Sequence, residues 1–596
     1  MVPTTPLWTR LAAGAALVLA LAPAALAQEE YDPPSRAMRV SLAEGAVSLQ
    51  PAGSEGWVDE LVNRPLTGGD RLWSDRESRA ELDLGSTAVR LGEETAVELL
   101  NVDERALQLK LVSGTLGIRV RTLGPDQNVE IDTPLAALTV LAPGEYRIDI
   151  DEVANLMRVE ALSGQIAATA GRDAASVRGG EQATYSGQGL TNAGITGLPP
   201  GDAFDQWSAE RDRREDRAAA ANYLSRETTG YEDLDEYGSW QVLDTYGPVW
   251  VPVVAAGWAP YRSGRWVWVA PWGWSWVDAA PWGFAPFHYG RWVFVGNRWC
   301  WAPGPRRGAP VYAPALVAWV GGAGGVGWFA LGWNEVYTPP YRVSERYVRA
   351  VNVSNLHVSN EYMTSYLASS AGAGPGAARN VPFRNQAVAG AVSTTTRGAF
   401  AAALPVEAHP ADLPRESLAR LAPGRAPPSI VPTLQSVGPR AASVPPTGTE
   451  FWRRPVLART QPPPAPLPFE QQRRALLANS GAVPALRRSD TPRGDVLRIQ
   501  SRPVANPPAR GAPSAPAPGA RAARAGSGGS RPPGTPPARV VREPAPARET
   551  PPPRQPAPPR DTEREPPPRT APAHPPAHPP AHAAEPHGRA EPKTGR

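Results

Sequence analysis

The chain has 596 residues, too many for one domain of ordinary size and enough for two folded units with linkers. It carries 72 Pro and 56 Gly, and 46 of the prolines fall after residue 400, which confines folding to about 340 residues. One Cys excludes an intramolecular disulfide framework and any multi-Cys zinc or iron–sulfur centre, and four of the seven His sit in the Pro-rich tail, away from any catalytic or metal cluster. The net charge of +4 hides a division: 28 basic against 14 acidic residues after position 400, and 33 against 43 before it. An acidic body joined to a basic arm is suited to sensing anionic surfaces. Only Lys110 and Lys593 are Lys, a bias that GC-rich coding also produces.

Residues 1–27 have the pattern of a signal peptide: Arg10, an apolar run from Leu11 to Leu21, and Ala25-Leu26-Ala27 before Gln28. The run is too short to span a bilayer. The expectation is an exported, periplasmic protein that does not span the membrane after cleavage. Cys300 lacks a partner in its own chain and reads as a buried, inert thiol.

From 38 to 190 short alternating runs are bounded by turn residues, predicting an all-β domain. Ala46–Leu49, Ala80–Leu84, Val129–Ile131 and Tyr146–Ile150 are such runs, and Leu107, Leu109 and Leu111 share one face. Leu66-Thr67-Gly68-Gly69-Asp70-Arg71-Leu72, Ser78-Arg79-Ala80-Glu81-Leu82, Gly114-Thr115, Thr133-Pro134-Leu135-Ala136 and Gly144-Glu145-Tyr146 together resemble the FecR domain family. That resemblance implies an all-β periplasmic domain of the kind found in iron-uptake regulators. Such regulators also have a cytoplasmic portion and a retained membrane helix, which this chain does not show, so transmembrane relay is not carried over.

Residues 202–230 switch to helical periodicity, with dense charge from Glu210 to Arg217, and read as a solvated helical connector.

Between Trp240 and Trp333 lie 15 of the 20 Trp. Ala259-Pro260-Tyr261, Gly264-Arg265-Trp266-Val267-Trp268 and Trp274-Ser275-Trp276 return as Ala285-Pro286-Phe287, Gly290-Arg291-Trp292-Val293-Phe294 and Trp299-Cys300-Trp301, one β-hairpin per copy. Alternation puts Trp266 and Trp268 on one face, across from Trp276 and Trp274. The rings serve as the core of a small sheet, as an exposed platform that stacks on sugar rings, or as an interfacial membrane belt. The platform would comprise Trp266, Trp268, Trp274, Trp276, Trp292, Trp299, Trp301 and Tyr261, with His288, Arg265 and Arg291 beside it. His288 reads foremost as a hydrogen-bonded structural residue. Asp278 and Glu335 would form a glycosidase-like pair only at about 5–10 Å. The block 238–357 resembles a family of Trp-rich bacterial envelope proteins without an assigned activity, through Gly238-Ser239-Trp240, Tyr246-Gly247-Pro248-Val249-Trp250 and Pro281-Trp282-Gly283-Phe284-Ala285-Pro286-Phe287-His288-Tyr289-Gly290-Arg291-Trp292.

From 368 to 596 the composition turns to Ala, Gly, Pro and Arg and predicts a disordered tail, with one apolar patch from Phe451 to Leu477 that reads as a transient helix or docking motif. The fold expectation is therefore mainly β: a FecR-like domain, a helical connector, a Trp-rich hairpin module and the tail. The function expectation is a non-enzymatic envelope binding or scaffolding protein with no cofactor, metal or nucleic acid. Its partner would be peptidoglycan or another envelope glycan, or an envelope protein. The alternatives are a periplasmic signalling partner acting through 38–190, and a hydrolase.

Overall fold

The computed structural model describes residues 32–187, 190, 194–322, 325–370, 383–411, 423–424, 429–438, 440–446, 450–478 and 493–499. The expected signal peptide and residues 500–596, with the Ala-His-Pro-Pro repeats, lie outside the described residues. No helix among the described residues is long and apolar enough to cross a membrane.

The N-terminal unit is all-β, from strand Met38–Glu44 to strand Gly194–Gly197. Its pivot is the fifteen-residue strand Ala106–Val120, which serves two layers. Its first half pairs with Thr95–Val102 and, in parallel, with Asn128–Asp132; its second half pairs with Thr87–Leu91 and Gly144–Asp151. Gly114 marks the changeover at φ +86°, where a Cβ would stand 2.3 Å from Thr95 Oγ1 and 2.6 Å from the Glu94 carbonyl. Only Gly makes that corner. Leu107, Leu109, Leu111, Leu116 and Ile118 line the core between the layers with Leu82, Val97, Ile131 and Ile148.

The short motifs that carry the resemblance are turn chemistry. Asp70 takes the Thr67 amide at 2.8 Å on one carboxylate oxygen and the Ala52 amide at 2.7 Å on the other. Thr133 Oγ1 accepts the amides of Leu135 and Ala136 and so closes the Thr-Pro-Leu-Ala turn. The Tyr146 hydroxyl donates to the Ala142 carbonyl and accepts the Gln165 amide, tying a strand to a neighbouring turn.

The connector helix Ala203–Asp216 starts at Asp202, whose carboxylate caps the Phe204 and Asp205 amides. Short turns at Ala219–Asn222, Tyr231–Asp233 and Leu234–Tyr237 lead into the Trp-rich module. The expectation of a solvated connector is corrected here. Trp207, Asp212 and Glu215 are buried, because the charges of the helix are spent on arginines of the N-terminal unit.

The module is a stack of hairpins. Gly264–Val269 pairs with Gly273–Asp278 in the expected register, Trp266 opposite Trp276 and Trp268 opposite Trp274. Arg291–Val295 pairs with Arg298–Ala302, Trp292 opposite Trp301, around a Gly296-Asn297 turn with both φ positive. The second hairpin joins Gly238–Leu243 and Gly247–Pro252 through Trp250 and Trp301. A further hairpin, Val317–Gly322 with Gly325–Ala330, belongs to a separate sheet and brings Trp319 and Trp328 against Trp266.

Within the expected disordered tail, parts of the chain after 368 are folded. Ser393–Thr395 adds a strand to Gly325–Ala330, and Phe400 enters the aromatic core. Farther on the chain crosses the N-terminal unit: Trp452 meets Trp57 at 5.5 Å, and Val456–Ala458 runs parallel to Val496–Arg498. The apolar patch from Phe451 to Leu477 is the part that docks, with helix Phe469–Ala478 burying Phe469 and Leu476.

Candidate functional site

The seven platform tryptophans are 0–6 % exposed, and Tyr261, His288 and Arg291 are buried with them. The platform expectation is therefore corrected: these rings are an interdigitated core. Trp266 lies 4.6 Å from Trp319, 5.4 Å from Trp328, 5.5 Å from Trp276 and 5.7 Å from Phe400, centroid to centroid. Both faces of the Trp266 hairpin are covered, one of them by residues of the supposed tail, so no ring face is left for a sugar.

The indole N–H groups are used internally. Trp276 donates to Asp278 at 3.0 Å, Trp292 to the Pro286 carbonyl and Trp301 to the Tyr289 carbonyl at 2.8 Å each, and Trp274 to Ile430 at 3.3 Å. Those of Trp266 and Trp268 have no partner among the described residues. Such groups are costly to bury, and the aromatic contacts offset them.

The polar residues beside the rings are structural too. Arg291 donates to the carbonyls of Glu335 and Gly290 and to Asn352, and burial pushes its guanidinium down to about 10. Arg265 is half-buried, and burial lowers it as well. His288 shares its Nδ1 with the Ala313 carbonyl at 2.8 Å, while burial drives the ring down to about 3 and keeps it neutral. Asp278 is raised to about 7 by burial and holds the Trp276 indole and the Ala280 amide. Glu335 accepts the Gly332 and Arg384 amides. Each carboxylate of the glycosidase-like pair is thus engaged in packing. Cys300 is buried and free, its thiol raised by burial.

Two clusters escaped the sequence reading. The first lies where the connector meets the N-terminal unit and the module. Arg39 is fully buried and reaches Asp83 at 3.1 Å, Asn63 at 3.1 Å, and Glu232 and Asp233, with its guanidinium 5.7 Å from the Phe284 ring. Beside it Arg90 and Arg211 clamp Glu81, and Arg121 holds Asp212 and Glu215. Asn63 donates to the Ala280 carbonyl at 2.7 Å, which ties the same corner to the module. Burial and neighbouring carboxylates raise Asp83 and Glu232, and burial lifts Glu215 to about 8. Burial also pushes Glu81 upward, but Arg90 and Arg211 outweigh it and hold it at about 2. Among the described residues no group of three or more His, Cys, Asp or Glu is placed to hold a metal ion.

The second cluster is an open polar cleft of about 410 Å³ where the C-terminal segment crosses the N-terminal unit. Asn128, Glu130 and Thr139 line it from the strands; Arg459, Thr460 and Arg498 line it from the segment. Its composite origin explains why no contiguous motif marked it: residues more than 300 positions apart supply the two walls.

Residues 231–335 match a family described as Family of unknown function (DUF6600). No curated protein matches the chain. Among solved structures, two crystal structures of a "putative anti-sigma factor" from Parabacteroides distasonis are similar at 15 and 16 % identity, each with a TM-score of 0.19. The alignments cover 22 % of this chain and 58 % of that one.

Proposed function

We propose that the protein is a non-enzymatic binding or scaffolding protein exported to the cell envelope. In this reading the Trp-rich module is framework, and the FecR-like N-terminal unit, with the C-terminal segment laid across it, is the presenting surface. The observation that carries the reading is the Arg39 cluster. One guanidinium joins a strand of the N-terminal unit to two carboxylates of the connector while lying over a ring of the module. Breaking one partner of such a buried group costs about 3–5 kcal/mol, so the junction favours a stiff body over hinged catalytic halves. The packed-in roles of His288, Asp278 and Glu335 speak against the hydrolase alternative. Peptidoglycan is the proposed envelope partner, reached through the N-terminal surface and the basic arm instead of through the tryptophans.

The test is cosedimentation of the mature chain with purified peptidoglycan sacculi. It should pellet at low salt and be released as salt rises; a chain that stays in the supernatant at low salt refutes the peptidoglycan reading. The second reading, a periplasmic signalling partner, draws on the intact FecR-like turns of residues 38–190. It requires specific cross-linking of those residues to a membrane receptor in cells, with no pelleting on sacculi.

A further inference from the structure

The composite cleft is a separate matter from peptidoglycan binding, because its chemistry stands on its own residues. Glu130 is buried, and both of its carboxylate oxygens are taken. Oε1 accepts the Arg459 amide at 2.7 Å and the Thr460 amide at 3.0 Å; Oε2 accepts the Thr460 hydroxyl at 2.7 Å and the Asn128 amide nitrogen at 3.1 Å. Four donors satisfy what a carboxylate can accept. The anion in the wall is therefore spent on fastening the segment, and it fastens backbone, leaving the Arg459 side chain toward the cleft.

Donors then outnumber acceptors. Among the described residues neither Arg459 nor Arg498 is in an ion pair with a carboxylate, although 24 such pairs occur elsewhere. Arg459 has only a 3.3 Å bond to the Thr139 hydroxyl. Behind Glu130, Asp132 is held well above the usual carboxylate range by burial and by Glu130 itself. Two guanidinium forks and the Thr139 hydroxyl face one space, with Ile499 as an apolar side; the Asn128 amide is spent on Glu130 and the Thr460 hydroxyl. Guanidinium forks match the geometry of carboxylate and phosphate oxygens. A volume of 410 Å³ falls within the range of small-molecule sites and has room for about a dozen water-sized groups at ~30 Å³ each.

We propose that this cleft is a binding site for a small oxyanion-bearing ligand, with the carboxylate or phosphate group held between Arg459 and Arg498 and the Thr139 hydroxyl. The site exists only while the C-terminal segment is docked, so the ligand and the docked segment stabilise each other.

The experiment is calorimetric titration of the mature full chain with N-acetylmuramic acid, citrate, inorganic phosphate and neutral N-acetylglucosamine. At least one oxyanion should bind saturably and more weakly as salt rises, and the neutral sugar should not. Whether the carboxylates or the phosphate bind identifies the source of the oxyanion. Arg459→Gln and Arg498→Gln should each weaken binding by about tenfold or more, the worth of a charge-assisted hydrogen bond. Thr139→Val, a change on the N-terminal wall that leaves the Glu130 bonds to the segment intact, should weaken it by a smaller factor. Absence of binding for all three oxyanions, equal binding of the neutral sugar, or a double Arg variant that binds like wild type would each overturn the proposal.

Discussion

Lys110, which has no exposed side-chain surface, is paired with Asp495, 385 positions later in the chain. Its ammonium also donates to the Trp452 carbonyl at 2.9 Å. The pair fixes the C-terminal segment to a strand whose opposite face lines the core. It gives the first prediction. Asp495→Ala leaves a buried ammonium with one carbonyl and should cost about 3 kcal/mol. Lys110→Met should cost less, since Asp495 is partly exposed and rehydrates. Hydrogen exchange should show faster amide exchange at Val456–Ala458 and Val496–Arg498 in Asp495→Ala, while Leu107 and Leu109 keep their protection. Unchanged exchange at both strands would mean that the pair does not hold the segment.

The aromatic core supports a second prediction. Trp266 touches four other rings: Trp276 on its own hairpin, Trp319 and Trp328 on one further hairpin, and Phe400 beyond residue 368. Trp266→Ala should destabilise the module by about 3–5 kcal/mol. Phe400→Ala should act in the same direction and at a similar scale, which a disordered spacer would not allow. Denaturant unfolding followed by Trp fluorescence measures both. A Phe400→Ala midpoint equal to wild type would show that the segment after 368 does not contribute to the core.

How far the fold was legible follows from these residues. Period-two alternation exposed the hairpin register, because the pattern of Trp266, Trp268, Trp274 and Trp276 is local and each strand is short. The N-terminal strands were legible for the same reason. Alternation shows two faces but cannot say what covers the second. Gln108 and Lys110 stand on the face opposite Leu107, Leu109 and Leu111, and it is Thr460 and Asp495 that bury them. Likewise Trp266 reads the same whether its ring meets water or Trp319. The connector's charge run from Glu210 to Arg217 matched a solvated helix, since its partners Arg90 and Arg121 lie about a hundred residues upstream. Burial decided by long-range partners is the information that periodicity lacks, and both missed clusters are of that kind.

The Arg39 junction supports a third prediction, with its sign set by protonation. Arg39→Met removes the cation shared by Asp83, Glu232 and Asp233 and leaves these carboxylates buried together. At pH 7 the cost should be about 3–5 kcal/mol. Acidification should relieve it, because Asp83 and Glu232 already take protons more readily than ordinary carboxylates. The gap between wild type and variant in thermal midpoint should therefore shrink from pH 7 to pH 5. A gap that widens on acidification would show that the carboxylates are not the source of the cost.

The wild-type protein should itself lose stability as pH rises from about 5 to about 8. Burial raises Glu60 and Glu215 to about 8 and Asp278 to about 7, so the folded chain holds protons that the unfolded chain releases. For a carboxylate raised in this way the stabilising contribution is complete below its unfolded pKa and is lost as pH climbs through the folded value, by up to ~1.4 kcal/mol per pH unit for each group. His288 works the other way. Depressed to about 3, it favours folding as pH rises to its ordinary value near 6.5 and adds no slope above that. Glu81, held at about 2, contributes stability that is lost only as pH falls below the usual carboxylate range. The raised carboxylates outweigh the one histidine and leave a net decline across the window, steepest above about 6.5 where His288 no longer opposes it. Thermal unfolding followed by circular dichroism at half-unit pH steps should place the highest midpoint near pH 5, and Glu215→Gln should flatten the alkaline limb. A midpoint that rises steadily from pH 5 to pH 8 would mean that these carboxylates are ionised in the folded protein and that the junction is wetter than its packing indicates.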